Sequence, residues 1–183
     1  MSIGIKECND NLGKINPKQI RMVSLSTTHA TNAIVEGRGG KVGLILIGKG
    51  KPTGILPAQK NVLVSGGHDL YGIPYGELDK QELTNVIAQM KEEVDTFAIS
   101  GIFSNRNPDH ENQAKEIVRR EWNVPIICAH ELSSKLGYYE RTVTACLNAR
   151  LLPIIRELLV AVKNVLNTHH IVAPAWLSKV MAL

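Results

Sequence analysis

Residues 42–47 read Val-Gly-Leu-Ile-Leu-Ile, and this run constrains the fold more than any other stretch of the chain. A strand with one wet face alternates apolar and polar residues. One apolar at almost every position must be covered on both faces, the habit of strands inside a parallel sheet sandwiched between helices. Further β-branched runs occur at 20–25, 96–103 and 124–129, separated by patterns of helical period. The strand–helix alternation predicts an α/β fold with a mixed, largely parallel sheet whose faces are covered by helices.

The helices are signalled by their caps. Ser2 is placed to cap a first helix carrying Ile5, Cys8 and Leu12 and closed by Gly13. Residues 27–36 predict a helix ended by the glycines at 37, 39 and 40. Asp79 and Glu82 have capping-box spacing ahead of Leu83, Val86, Ile87, Met90 and Val94. Asn107-Pro108 opens another helix with proline at its first position, and Asp109 and Glu111 suit its dipole. A long pattern covers 138–166, where Pro153 should kink it or split it in two. Residues 48–78, with seven glycines and three prolines, predict an irregular excursion or flap, within which 61–65 could form a short strand. The helix at the very start has no strand before it, and an apolar run beginning at 171 simply stops. The expectation is therefore a domain over 1–166 and a truncated segment over 167–183, the whole cut from something larger.

Composition excludes several functions. With 21 Lys and Arg against 17 Asp and Glu, the net charge of +4 is mild and spread along the chain. Two Phe and two Trp make no stacking platform. Nucleic acid is not the expected partner. The apolar stretch 151–166 is interrupted by Pro153, Arg156, Glu157 and Lys163, so no membrane span is expected. Cys8, Cys128 and Cys146, odd in number and isolated, fit reduced core thiols of a cytoplasmic protein better than disulfides or a metal knot.

Three segments could carry chemistry. At 24–32 a strand hands Ser24, Ser26, Thr27, Thr28, Thr31 and Asn32 to a helix start, where free N–H groups and the dipole attract an anion. Ser26, Thr27 and Thr28 could bind phosphate or carboxylate oxygens. By spacing alone, simple capping explains the same residues and is favoured. At 104–111, His110 with Glu111 could serve as an acid/base or metal pair. Adjacent helical residues point about 100° apart, which favours capping and dipole roles instead. In the third segment, His130-Glu131 precedes Glu140, Arg141 and Asn148; a buried Arg141 paired with a carboxylate would be structural, and Asn148 needs partners if buried. His68 sits in the excursion and could belong to a lid, although a structural role is favoured; His169-His170 reads as a solvated turn. The sequence assigns no metal ligands.

Thr27-Thr28-His29-Ala30-Thr31-Asn32-Ala33, then Asn107-Pro108-Asp109-His110-Glu111, then Glu140-Arg141-Thr142-Val143-Thr144 with Asn148-Ala149 and Pro153, stand in one order over 20–166. Together they resemble the hydantoinase A/5-oxoprolinase family, with its Thr-Thr-x-Ala-Thr-Asn-Ala, Asn-Pro-x-His-Glu and Glu-Arg-Thr-x-Thr blocks. The resemblance implies part of an actin/sugar-kinase-like ATPase fold and an ATP-dependent opening of cyclic amides such as hydantoins or 5-oxoproline. Phosphorylation of the amide oxygen would make the ring carbon electrophilic for water, with Mg2+ shielding the phosphates. It makes Ser26, Thr27, Thr28, Thr31 and Asn32 substrate- or phosphate-binding, and His110 and Glu111 candidate catalytic residues. Asn107, Glu140, Arg141 and Asn148 become structural residues of the cleft.

Two departures qualify this. The family's Asp-x-Gly-Gly-Thr loop and second nucleotide-binding half are absent, so ATP and Mg2+ are expected of the parent protein rather than of this chain alone. Where many relatives have His-Gly before the paired threonines, this chain has Leu25-Ser26. The expected partners are a small cyclic amide and the remainder of the chain or a companion subunit; a homo-oligomer is allowed. The alternatives are a non-catalytic binding or assembly module of the same fold and an acetone-carboxylase-type subunit.

Overall fold

A computed structural model describes residues 16–25, 36 and 38–177. The expected helices over the first residues and over 27–36, with Ser26, Thr27, Thr28, Thr31 and Asn32, lie outside the described residues. The chain divides into two compact units, one spanning Arg38–Pro153 and the other Met1–Gly37 with Ile154–Leu183.

The larger unit is a parallel sheet between helices. Its strands are β2 (Val42–Ile47), β3 (Lys60–Val64), β4 (Thr96–Gly101) and β5 (Ile126–Cys128), numbered after β1 (Val23–Leu25) of the other unit. They lie in the order β3-β2-β4-β5, every pairing parallel. The central pair runs in register from Val42 opposite Thr96 to Ile47 opposite Gly101. Both central strands are buried at every position, as the unbroken apolar run required.

Alternation divides β2 between two cores. Ile45 and Ile47 join Leu83, Ile87 and Met90 of α1 (Lys80–Met90) and Ala114 and Val118 of α2 (Asp109–Glu121). Val42, Leu44 and Leu46 join Ala145, Cys146 and Ala149 of α3 (Tyr138–Thr168) on the opposite face. Each large aliphatic side chain so buried contributes about 1.5–3 kcal/mol. Phe97 adds an edge-to-face contact with Trp122, ring centroids 5.8 Å apart.

Local signals held unevenly. Asp79 accepts the Glu82 N–H at 2.8 Å as expected of a cap, but Glu82 does not close the box; its Oε2 takes the Ser65 N–H at 3.1 Å instead. Pro108 stands one position before α2, which lacks a side-chain cap there; Asn107 Oδ1 accepts the Asp109 N–H at 3.0 Å. α3 is not split at Pro153 but continues through it. Proline withholds an N–H and crowds the preceding turn. There the Arg150 carbonyl accepts the Gly40 N–H at 2.9 Å, a donor from outside the helix. The boundary between the two compact units nonetheless falls at this proline.

Within residues 48–78 the one strand, β3 at Lys60–Val64, stands close to the short strand expected at 61–65, and the rest is turns and loop. Besides β3, they form a tight turn in which Asp69 Oδ1 accepts the N–H groups of Tyr71 and Ile73. His68 and Pro74 make an antiparallel bridge.

The smaller unit contains a 3-10 turn at Pro17–Gln19, capped by Asn16, and the two-stranded parallel ladder of β1 with β6 (Ala175–Leu177). Among the described residues, no helix is long and apolar enough to cross a membrane.

Candidate functional site

In open α/β sheets, ligands bind beyond the carboxyl ends of the strands. Here the carboxyl ends of β4 and β5 carry the densest set of buried polar groups among the described residues. β4 ends at Gly101 and gives way to a turn in which Phe103 takes φ 51°, a left-handed conformation unusual for a bulky residue. The Phe103 carbonyl accepts the N–H groups of Arg106 and Asn107, which holds the turn closed.

Glu111, at the third position of α2, has no exposed surface. Its Oε1 accepts the Gly101 N–H at 2.7 Å, and its Oε2 accepts the His130 N–H at 3.1 Å. The His130 imidazole meets the same Oε2 through Nδ1 at 2.5 Å. His130 lies in a 3-10 turn, Ala129–Glu131, that directly follows β5. Cys128, the last residue of β5, sets its Sγ 3.7 Å from the Glu111 carbonyl oxygen. Burial foremost, with Glu111 and Glu131 adding to it, pushes the Cys128 thiol far above its ordinary value. Burial alone would also raise the Glu131 carboxyl, but its hydrogen bond and ion pair with Lys115 hold it below the usual range.

Arg141, 1% exposed, grips the same strand end from α3. The sequence suggested a carboxylate partner. The guanidinium instead donates to three carbonyls, those of Lys135 (2.9 Å), Leu136 (2.7 Å) and Gly101 (3.1 Å). Burial lowers its pKa, against the pull of Glu111. Gly101 is thus held at its N–H by Glu111 and at its carbonyl by Arg141. Beside it, Ser104 Oγ, Asn105 Oδ1 and Arg141 Nε are buried with no hydrogen-bond partner. Unpartnered buried polar atoms are uncommon, and here they gather at one strand end.

His110 and Glu111 diverge as the helical geometry required. His110 turns to the excursion, where its Nδ1 accepts the Gly67 N–H at 2.9 Å. The acceptor role fixes the neutral tautomer with the proton on Nε2. Its ring stacks on that of His68, centroids 4.4 Å apart. Burial holds both imidazoles below their ordinary value. Gly67 has φ 82°, and a Cβ there would meet the Gly48 Cα at 2.9 Å, so the close approach needs glycine. Asn107 completes the seam by donating to the Gly72 carbonyl at 3.1 Å.

The remaining expected residues stand apart from this cluster. Glu140 is exposed, its carboxylate against Gly137. Asn148 is half-buried and donates back to the Thr144 carbonyl at 2.8 Å, a partner within its own helix. Sequence reasoning placed Cys128 in the core but did not connect it with Glu111 or His130. The Cys-x-His spacing at the end of a strand was the available signal, since a tight turn brings both side chains to one side.

The hydantoinase/oxoprolinase N-terminal region description matches residues 2–122. The chain is 29% identical over 168 residues to the acetophenone carboxylase gamma subunit of Aromatoleum aromaticum, covering 73% of this chain and 23% of that protein. It is also 29% identical over 179 residues to the caprolactamase subunit alpha of Pseudomonas jessenii, covering 82% and 26%. In three dimensions it resembles the ATP-dependent caprolactamase of P. jessenii, with a TM-score of 0.77 at 22% identity, over 97% of this chain and 30% of that one. A nucleotide-free acetone carboxylase structure is similar with a TM-score of 0.67 at 17% identity, over 87% and 28%. The chain therefore spans about a quarter of the length of the two curated relatives described.

Proposed function

The chain belongs to the hydantoinase/oxoprolinase N-terminal region family, and from that premise we propose that it forms one wall of the substrate and nucleotide cleft of an ATP-dependent cyclic-amide hydrolase. The observation that carries this reading is the match to the caprolactamase alpha subunit, which extends over most of the chain in sequence and in fold. Caprolactam, like hydantoin and 5-oxoproline, is a ring closed through an amide. Both relatives are subunits by name, which favours a companion subunit as partner.

In this proposal Ser26, Thr27, Thr28, Thr31 and Asn32 bind the anionic groups, as free N–H groups and hydroxyls at a helix start favour. At the carboxyl ends of β4 and β5, the buried guanidinium of Arg141 is committed to three carbonyls and the Glu111 carboxylate beside it would repel phosphate oxygens, so this strand end is not where the polyphosphate would lie. His110 and Glu111 act as positioning residues: Glu111 fixes the strand end, and His110 fixes the excursion through Gly67. Asn107 and Arg141 support the same two places, while Glu140 and Asn148 belong to the α3 wall.

The test is ATP turnover by the full-length protein with its companion subunit, in the presence of caprolactam, hydantoin or 5-oxoproline. Stimulated phosphate release with at least one ring is the expected result. Silence with all three overturns the proposal. Thr27→Val with Thr28→Val should abolish the stimulation without lowering the unfolding midpoint. A second reading, a ketone-carboxylase-type subunit, is favoured by the acetophenone carboxylase match. It predicts turnover that answers to a ketone with bicarbonate and to no cyclic amide.

A further inference from the structure

The geometry points to a cation site that stands independently of the proposed function: Glu111, Cys128 and His130 bind one divalent ion of the zinc class. Among the described residues, these are the one set of three potential ligands whose donor atoms, a carboxylate oxygen, a thiol sulfur and an imidazole nitrogen, all lie within 4.8 Å of one another.

Donor chemistry selects the class of ion. Thiolate and imidazole suit zinc and its borderline neighbours, whereas magnesium and calcium take oxygen ligands. One carboxylate and one thiolate balance the charge of a divalent cation, so the buried site would be neutral when filled. Tetrahedral zinc with bonds of roughly 2.0–2.3 Å holds its donors about 3.3–3.8 Å apart. From the 2.5 Å contact of Glu111 with His130 and the 4.8 Å outer limit, that arrangement needs movements of about 1 Å or less.

The cation takes the place of protons already shared within the cluster. Without it, His130 Nδ1 and Glu111 Oε2 share a hydrogen bond. On binding, the imidazole proton is carried on Nε2, Nδ1 turns its lone pair to the metal, and the thiol proton of Cys128 leaves to solvent. No oxidant or reductant is involved.

Two surrounding features suit a built site. Glu111 is oriented from behind by the Gly101 N–H on its other oxygen, and Gly101 is held in turn by Arg141. Such outer hydrogen bonds aim metal ligands. Glu111 and Cys128 are sealed, but the His130 side chain is 17% exposed, which leaves an entry path for the ion.

The test uses the full chain, stripped with chelator and titrated with Zn2+, and separately with Co2+ for its thiolate charge-transfer absorption. One equivalent should bind, with the cobalt band present. Cys128→Ser should remove the band, and His130→Ala should weaken binding by at least the roughly 10–100-fold seen when outer partners are lost. Cys146→Ser, a buried thiol on the opposite face of the sheet, should change neither. Circular dichroism checks that each variant is folded; should Cys128→Ser fail to fold, His130→Ala decides, because its imidazole is partly exposed. Absence of stoichiometric uptake, or uptake unchanged in both ligand variants, overturns the site.

Discussion

The two strand-to-helix crossings of the larger unit use one device with different results. After β3, α1 places Glu82 at its third position, and that carboxylate reaches back to the Ser65 N–H near the strand end. After β4, α2 places Glu111 at its third position, and it reaches back to the Gly101 N–H. The first glutamate is half-buried and works beside an ordinary aspartate cap. The second is sealed, has no side-chain cap before it, and shares its other oxygen with His130. A helix-start carboxylate needs no enclosure to hold a strand end, as Glu82 demonstrates. The enclosure of Glu111 therefore separates the second crossing from the first, and it is the second that holds the proposed cation site.

The largest expected effect comes from emptying that enclosure. Glu111→Ala leaves the Gly101 N–H and His130 unpaired in the interior, and should lower stability by about 3–5 kcal/mol in urea denaturation. Glu82→Ala should lose only about 0.5–1.5 kcal/mol, the net worth of one hydrogen bond near water. Equal losses would remove the distinction between the crossings. Arg141→Lys is expected to lose about 2–3 kcal/mol in the same assay, since an ammonium lacks the fork that reaches three carbonyls. No loss would show the strand end to be held by Glu111 alone. On the side of the first crossing, Gly67→Ala should lose about 1–3 kcal/mol, from a left-handed backbone and contact with Gly48.

The smallest effect is a dependence on pH. His68 is held below its ordinary value by burial first and by His110 next, while Asp109 and Asp69 pull the other way. A depressed imidazole favours the folded state above the ordinary histidine value, and that contribution is lost as pH falls through the folded value. The unfolding midpoint should drop between about pH 7 and 5, and His68→Phe should flatten the drop. An unchanged slope in the variant would assign the acid sensitivity elsewhere.

What the sequence disclosed follows from the range of the forces involved. Val42, Leu44, Ile45, Leu46 and Ile47 announced a doubly covered strand because burial acts on every residue of a central strand. Asp79 and Glu82 announced a helix start, yet the partner of Glu82, Ser65, lies 17 residues back inside the excursion, where no local spacing could indicate it. Glu111, Cys128 and His130 come from a helix, a strand and a turn, and only the parallel pairing of β4 with β5 brings them together. The structural role favoured for His68 agrees with its burial: Gly67 lets the backbone pass close to Gly48, and the ring lies against His110. Family motifs identified His110 and Glu111 as a pair, while their contacts send them to different elements.

The strictly parallel order of the sheet also governs how the chain must fold. No two of its four strands can meet through a tight hairpin, because each parallel pairing needs a crossover. The central register joins Val42 to Thr96 and so waits on the excursion and α1 that lie between them. Loop-closure entropy is spent before any of these contacts forms, which slows folding. The excursion is thus a kinetic element as well as a structural one: lengthening it should slow the search for the central pairing.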